Sequence, residues 1–214
     1  MPVCLHPTYF PNVQTFSVIL SNDIVWEVHD NYQKQTYRNR CHICTDQGKH
    51  TLSVPIKHVG GHEGRQLYSD VRLDDSTPWQ RQHWRGIQTA YRTSPYFEFY
   101  EDDLAPLFEP KFSHLMELNF EILDILGELI GFEVSKTKTT SYSHDLSKLL
   151  DGRFLVNAKS ELHDQPDAYH QVFNDRHGFI ENLSILDVLF NLGPETSAYL
   201  KKVWDQSFFP ALKR

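Results

Sequence analysis

The first part of the chain fixes the class of fold, because a short apolar run, a run at helical period and a second apolar run follow one another there. Val3-Cys4-Leu5 reads as a buried strand stopped by His6-Pro7. Pro11 suits the first turn of a helix in which Val13, Phe16, Ile19 and Leu20 recur at the helical period, ending near Ser21-Asn22-Asp23. Ile24–His29 reads as the next strand, with Trp26 and Val28 on one face and Glu27 and His29 on the other. Strand, helix and strand within about thirty residues make a βαβ unit with a parallel, right-handed crossover. The chain is therefore read as α/β, with a mixed sheet begun by this unit.

Further along, Tyr37–Thr45 and His50–Ile56 flank Asp46-Gln47-Gly48-Lys49, which predicts an antiparallel hairpin. Gly60-Gly61-His62-Glu63-Gly64 reads as a loop, and the alternation over Ser69–Asp74 as a strand. Beyond Pro78 the pattern is helical through Ile130, broken at Ser94-Pro95 and Pro106. Helices over Trp79–Arg92 and Phe112–Ile130 are expected to flank the sheet. Phe132–Thr137 suits one more strand, and Ser143–Leu150 a short helix. Residues 151–182 read as irregular and polar, and Asn182-Leu183-Ser184 opens a helix ended by Gly193, with Pro194 starting another. The expectation is one domain over residues 1–214 with a helical C-terminal half.

A net charge of −7 with the histidines neutral argues against a nucleic-acid binder, which needs a basic surface. MPVCLHPTYF has neither the basic start nor the apolar run of a signal peptide, so a cytoplasmic protein is expected. In Phe112–Gly131, Leu115, Leu118, Ile122, Leu126 and Leu129 oppose Glu117, Glu121, Asp124 and Glu128, the pattern of an amphipathic helix and not of membrane insertion. Cys41 and Cys44 fall in an expected strand, where residues three apart face opposite ways and cannot share a metal, so these and Cys4 read as inert. No metal site is expected, and no cofactor is indicated.

The residue types that carry chemistry gather in Asp23–Arg40, where a strand runs into Asp30, Asn31, Gln33, Lys34, Gln35, Arg38, Asn39 and Arg40, interleaved with Tyr32 and Tyr37. This mix suits a pocket for a small anionic or sugar-like molecule; it equally suits a solvated loop. Ligands of α/β sheets lie beyond the carboxyl ends of strands. If the first two strands are parallel neighbours, His6, Tyr9, Glu27 and His29 meet at one edge as an acid/base cluster, with Lys34, Arg38 and Arg40 as anion donors. On the Trp79–Arg92 helix, His83 and Tyr91 share the apolar face, while Arg81, Arg85 and Arg92 form a stripe expected to pair with Asp70, Asp74 or Asp75. Asp187 and Asn191 share a helical face as a substrate clamp, a helix-bridging pair or plain polarity. Tyr169-His170-Gln171 and Asp175-Arg176-His177 form a further polar patch. There is no Gly-rich phosphate loop, nucleophile elbow or His-Glu-x-x-His.

Several strings together resemble the WbqC-like protein family: HPTYFP from His6, EVHDNYQKQTYRNR from Glu27, the Thr51–Pro55 strand, DVRLD from Asp70, WQRQHW from Trp79 with Tyr91, Ser94-Pro95-Tyr96-Phe97, and NLSILDVLFNLGPE from Asn182. They are collinear from residue 6 to about residue 203. The resemblance implies an association with surface-polysaccharide (O-antigen) gene clusters and a transferase that moves a glycine or aminoacyl group onto a sugar. Many members of that family have Gln-Pro where this chain has His6-Pro7, which moves weight from His6 to Asn39-Arg40 and His83. Two other readings stand beside it. One is a non-catalytic binder of a nucleotide-sugar or polysaccharide precursor, and the other a nucleotide-dependent α/β enzyme with His6 and the first helix facing a phosphate.

Overall fold

The opening βαβ unit is present in the computed structural model, which describes residues 1–57, 66–159 and 168–206. β1 (Val3–Leu5) pairs in parallel with β2 (Ile24–Trp26), Val3 opposite Ile24 and Leu5 opposite Trp26. Between them runs α1 (Val13–Ser21), started by Asn12, whose side chain accepts from the Thr15 amide at 2.8 Å. This cap supplies a partner to an amide that the helix itself cannot satisfy. β2 ends at Trp26 and not at His29, because Glu27 folds back and its Oε1 accepts the His29 amide at 2.7 Å. A side chain that bonds its own backbone in this way competes with the strand ladder.

The hairpin forms as β3 (Arg40–Thr45) and β4 (Gly48–Ser53), closed by the Thr45–Gly48 pair around Asp46-Gln47. Ser69–Asp74 is not a strand: Tyr68–Asp70 makes a 3-10 turn, after which Arg72 and Leu73 make single bridges to His114 and Ile56. The Gly60–Gly64 loop lies outside the described residues. α2 (Trp79–Tyr91) buries His83, Ile87, Ala90 and Tyr91 and exposes Arg81, Arg85 and Arg92. Asp75 turns to the start of this helix instead of to its arginines, accepting from Trp79 Nε1 at 3.2 Å and Gln80 Nε2 at 2.7 Å.

α3 (Phe97–Leu104) follows, then α4 (Leu115–Ile130), whose buried stripe is Leu115, Leu118, Ile122 and Leu126. Gly131 stops α4 with φ of 82°, a left-handed conformation that a side chain would disfavour. No helix among the described residues is long and apolar enough to cross a membrane.

The largest departures from the expected pattern come next. Phe132–Thr137 makes no strand; the chain there reaches β2 through two backbone bonds, Trp26 N to Thr137 O and Thr139 N to Trp26 O, each 2.9 Å, and through Ser135, whose Oγ donates to Ile24 O at 2.6 Å and whose carbonyl accepts from Trp26 Nε1 at 2.8 Å. Ser143–Leu150 is not a helix, and Leu150 begins β5 (Leu150–Asp151), which pairs in parallel with β1 on the side away from β2. The sheet order is thus β2-β1-β5. The short α5 (Asn174–His177) precedes α6 (Ile185–Leu192), capped by Ser184 and ended at Gly193, and α7 (Thr196–Gln206), which packs on α1. The core joins both sheets to α1, α2, α4 and α6 through residues such as Phe16, Trp26, Ile43, Ile87, Ile122 and Phe190.

Gly152 lets β5 lie this close to β1, since a Cβ there would sit 2.6 Å from Leu5 Cδ2 and 2.9 Å from Val3 Cγ1. Gly152→Ala is expected to cost about 2 kcal/mol by overpacking, seen as a fall of roughly 4–8 °C in melting temperature. An unchanged melting curve would show that β1 and β5 are not in close contact.

Candidate functional site

Three parallel strands that end side by side deliver the residues after them to one edge. Those residues are His6 after β1, Glu27 after β2, and Gly152-Arg153 after β5. Two amides tie the ends together, Glu27 N to Leu5 O at 2.7 Å and Gly152 N to Cys4 O at 3.0 Å. His6 and Glu27 are both buried there.

The imidazole of His6 belongs to a triangle. Its Nε2 lies 2.9 Å from Asp30 Oδ2; Arg38 Nη2 lies 2.7 Å from the same oxygen and 2.8 Å from Nε2. With the proton on Nε2, two donors converge on one carboxylate oxygen and Nδ1 is a lone pair; with the proton on Nδ1, Nε2 accepts from Arg38 Nη2. Arg38 is 0% exposed and its guanidinium sits over the Tyr68 ring at 5.3 Å. Asn119 Nδ2 donates to the Arg38 carbonyl at 2.8 Å and to the Tyr68 hydroxyl at 2.6 Å, and that hydroxyl donates to Pro7 O at 2.7 Å. Burial, aided by the Arg38 charge, pushes His6 down to about 4 against the pull of Asp30. Burial works to raise the Asp30 carboxyl, but the His6 hydrogen bond and the Arg38 charge outweigh it and hold it below the usual range.

Glu27 is the second buried acid. Its Oε1 accepts from the His29 amide and, at 3.1 Å, from Thr139 Oγ1, while Oε2 lies 3.8 Å from Arg153 Nη1. Arg153 is held in place by a two-pronged grip on Asp151, Nε to Oδ1 at 2.9 Å and Nη2 to Oδ2 at 2.8 Å. Its Nη1 also donates to the Ser143 carbonyl at 2.7 Å. Pairing with Asp151 raises the guanidinium further above its usual range.

Among the described residues, buried polar atoms without a hydrogen bond include His6 Nδ1, Thr8 Oγ1, Glu27 Oε2, Arg38 Nε and Nη1 and Asn119 Oδ1 in and around these contacts, Asn39 Oδ1 and Arg40 Nε where the chain runs on into β3, and Asn191 Oδ1 in α6. Folded proteins bury few such groups without a partner, which ordered water or a ligand can supply. The set contains both donors and acceptors. Phe10, in the β1–α1 loop, has φ of 41°, a strained value for a bulky residue before a proline.

Of the residues singled out from sequence, His6, Glu27 and Arg38 lie at this edge; Asn39 Nδ2 donates instead to the Val54 carbonyl at 2.9 Å, and Arg40 begins β3. His29 and Lys34 are exposed, and the His29 ring reaches only the Thr139 carbonyl, at 3.1 Å. Glu27 and His29 thus do not project together from a strand. Tyr9 and His83 form a separate pair, hydroxyl to Nδ1 at 2.8 Å, beside Trp79, and the His83 ring also bonds the Ser53 backbone. Burial pushes His83 down to about 4.

Tyr91, Asp187 and Asn191 belong to a third cluster. Asp187, 0% exposed, accepts from Tyr91 at 2.8 Å, from Gln171 Nε2 at 2.9 Å and from the Tyr169 hydroxyl. Asn191 Nδ2 donates to the Asp187 carbonyl at 2.7 Å, and the Cys44 amide to the Tyr91 hydroxyl at 3.1 Å. Burial raises the Asp187 carboxyl above its usual range despite these bonds. Cys4, Cys41 and Cys44 are free and buried.

The partners missed from sequence are Asp151, Arg153, Thr139, Tyr68 and Asn119. Asn119 left a trace, a polar residue inside the apolar stripe of α4, and Leu149-Leu150-Asp151-Gly152-Arg153 left another in its glycine between opposite charges. Fold and site together define a mixed α/β protein with a buried charged network at the carboxyl edge of a short parallel sheet. The chain belongs to the WbqC-like protein family, which it matches over residues 6–165. It is also similar to the "Uncharacterized protein Rv1507c" of Mycobacterium tuberculosis (strain ATCC 25618 / H37Rv), 29% identical over 203 residues that cover 79% of this chain and 84% of that protein. No solved structure matches the chain.

Two stability measurements follow. Arg38→Ala leaves Asp30 without its cation and is expected to cost about 3–5 kcal/mol in urea unfolding. His83 binds a proton near 6.5 when unfolded and only near 4 in the fold. Between these values the unfolded chain holds more protons, so this imidazole removes stability as pH falls, roughly 3 kcal/mol by pH 4. The raised Asp187 carboxyl acts in the opposite direction, so the test is comparative. His83→Gln should lose less stability than wild type between about pH 7 and pH 4, and parallel pH profiles would contradict the buried neutral imidazole.

Proposed function

We propose that the protein is a cytoplasmic transferase that moves a glycine or aminoacyl group onto a sugar during surface-polysaccharide synthesis, with the carboxyl-edge network as its substrate site. The observation that carries this reading is the set of buried donors and acceptors without a hydrogen bond in and beside the His6–Arg38 network. Arg38 and Arg40 offer N–H groups to a carboxylate or phosphate, and Glu27 Oε2 and Asn39 Oδ1 offer acceptors to an ammonium or hydroxyl. An aminoacyl donor presents groups of both kinds. Family membership supports the same reading.

In this scheme a sugar hydroxyl or amine attacks the carbonyl carbon of an activated aminoacyl ester. A new C–O or C–N bond forms, the ester C–O bond breaks, and the proton passes to His6 Nδ1 and from there to the departing oxygen. The scheme uses the tautomer with the proton on Nε2, toward Asp30, which leaves Nδ1 free. Arg38 opposes protonation of His6, so an anionic group placed against Arg38 raises the proton affinity of the imidazole when substrate is bound. Tyr9 and His83 brace the loop that carries His6; Tyr91, Asp187 and Asn191 brace the hairpin, and His29 and Lys34 stand at the rim.

Incubation with aminoacyl donors and nucleotide-sugar acceptors, followed by mass spectrometry, should reveal an aminoacylated sugar. His6→Gln is expected to lower its rate about 100-fold, and Arg40→Ala to raise the donor KM. Product formation untouched by both substitutions would rule out the site. Saturable binding of the sugar precursor with no product would replace the transferase by a binding protein.

A further inference from the structure

Two consecutive helices carry opposite charge. α2, Trp79–Tyr91, contains Arg81 and Arg85 and no acidic residue, and Arg92 extends its outer stripe. α3, Phe97–Leu104, contains Glu98, Glu101, Asp102 and Asp103 and no basic residue. Among the described residues none of these seven charges takes part in an ion pair, although the arginines were expected to find acids within the chain.

Each helix also has an unfilled apolar feature. On α3, Phe99 is 74% exposed among the acids, an unusual position for a large apolar ring. Along α2 runs a trough made of two adjoining cavities of about 590 and 570 Å³ that share Arg85 and Thr89. Its apolar lining comes from Gly86, Ala90 and Phe173, and its basic rim from His50, Arg85 and Arg92. The acid in its wall, Asp46, lies 3.7 Å from Arg176 and is thereby offset.

We infer that this face binds a second copy of the chain, with Phe99 of one copy seated in the α2 trough of the other and the α3 acids against Arg85 and Arg92. A short turn joins the two helices, so a two-fold axis near that turn sets basic α2 on acidic α3 twice, and the contact closes as a dimer. The net charge of −7 makes two copies repel elsewhere, which leaves this sign-matched face as the one favoured by charge. A buried aromatic ring ringed by charge pairs is the usual make-up of a small specific interface.

The full chain in sedimentation velocity should be dimeric at about 50 mM salt and dissociate progressively towards about 500 mM. Phe99→Asp should raise the dimer Kd at least about 100-fold, with the circular dichroism spectrum unchanged because the ring is exposed. Arg85→Glu with Arg92→Glu should give a monomer, as should Glu98→Lys with Asp102→Lys. An equal mixture of these two double variants should dimerise again, since both contacts then pair opposite charges. A monomer at low salt, a dimer indifferent to the charge reversals, or a mixture that stays monomeric would each overturn the inference.

Discussion

A guanidinium withdrawn from water must be answered by charge and hydrogen bonds, and Arg38 has no exposure at all. The His6 side of the carboxyl edge is arranged around this demand. Asp30 supplies the countercharge, Tyr68 a ring face, and Asn119 fixes the backbone that carries the side chain. His6 is drawn in as a second partner of Asp30. In consequence the end of β1, the turn after β2, the 3-10 turn and α4 are held in one relation. Arg38 uses a single nitrogen for these bonds, and Nε and Nη1 make no hydrogen bond within the described chain.

The other two polar clusters solve a different problem. Tyr9 with His83, and Asp187 with Tyr91, Tyr169 and Gln171, hold buried polar groups by hydrogen bonds from neutral partners. Such a cluster fixes geometry because each group has few alternatives once water is excluded. The Arg38 network is built on a full charge and keeps several spare donors and acceptors, against the single Asn191 Oδ1 of the Asp187 cluster.

Periodicity made the βαβ unit, the hairpin and the long amphipathic helices legible, since each buries one face along several turns or alternations. β5 is too short to show a period, and its place depends on Gly152 approaching β1, a contact with no local signature. Phe132–Thr137 has the composition of a strand, but it meets β2 through Ser135 and its end without forming a ladder. In the site, the parallel pairing of β1 and β2 brought His6 and Glu27 together as their positions implied. His29 went elsewhere because Glu27 captures its amide and breaks the alternation that would have put both on one face. Arg153 and Asn119 were invisible as partners because sequence distance hides which side chains converge.

The Asp187 carboxylate receives groups from α2 and from the segment before α5, while the Tyr91 hydroxyl it holds also receives an amide from β3. During synthesis the hairpin and α2 emerge well before α6. Until α6 is available, the Tyr91 hydroxyl keeps the Cys44 amide but has no carboxylate to donate to. The amino-terminal elements therefore gain their full stability only with the carboxyl-terminal ones. The Tyr91–Asp187 bond spans 96 positions of sequence, and closing so long a loop is a step that slows folding.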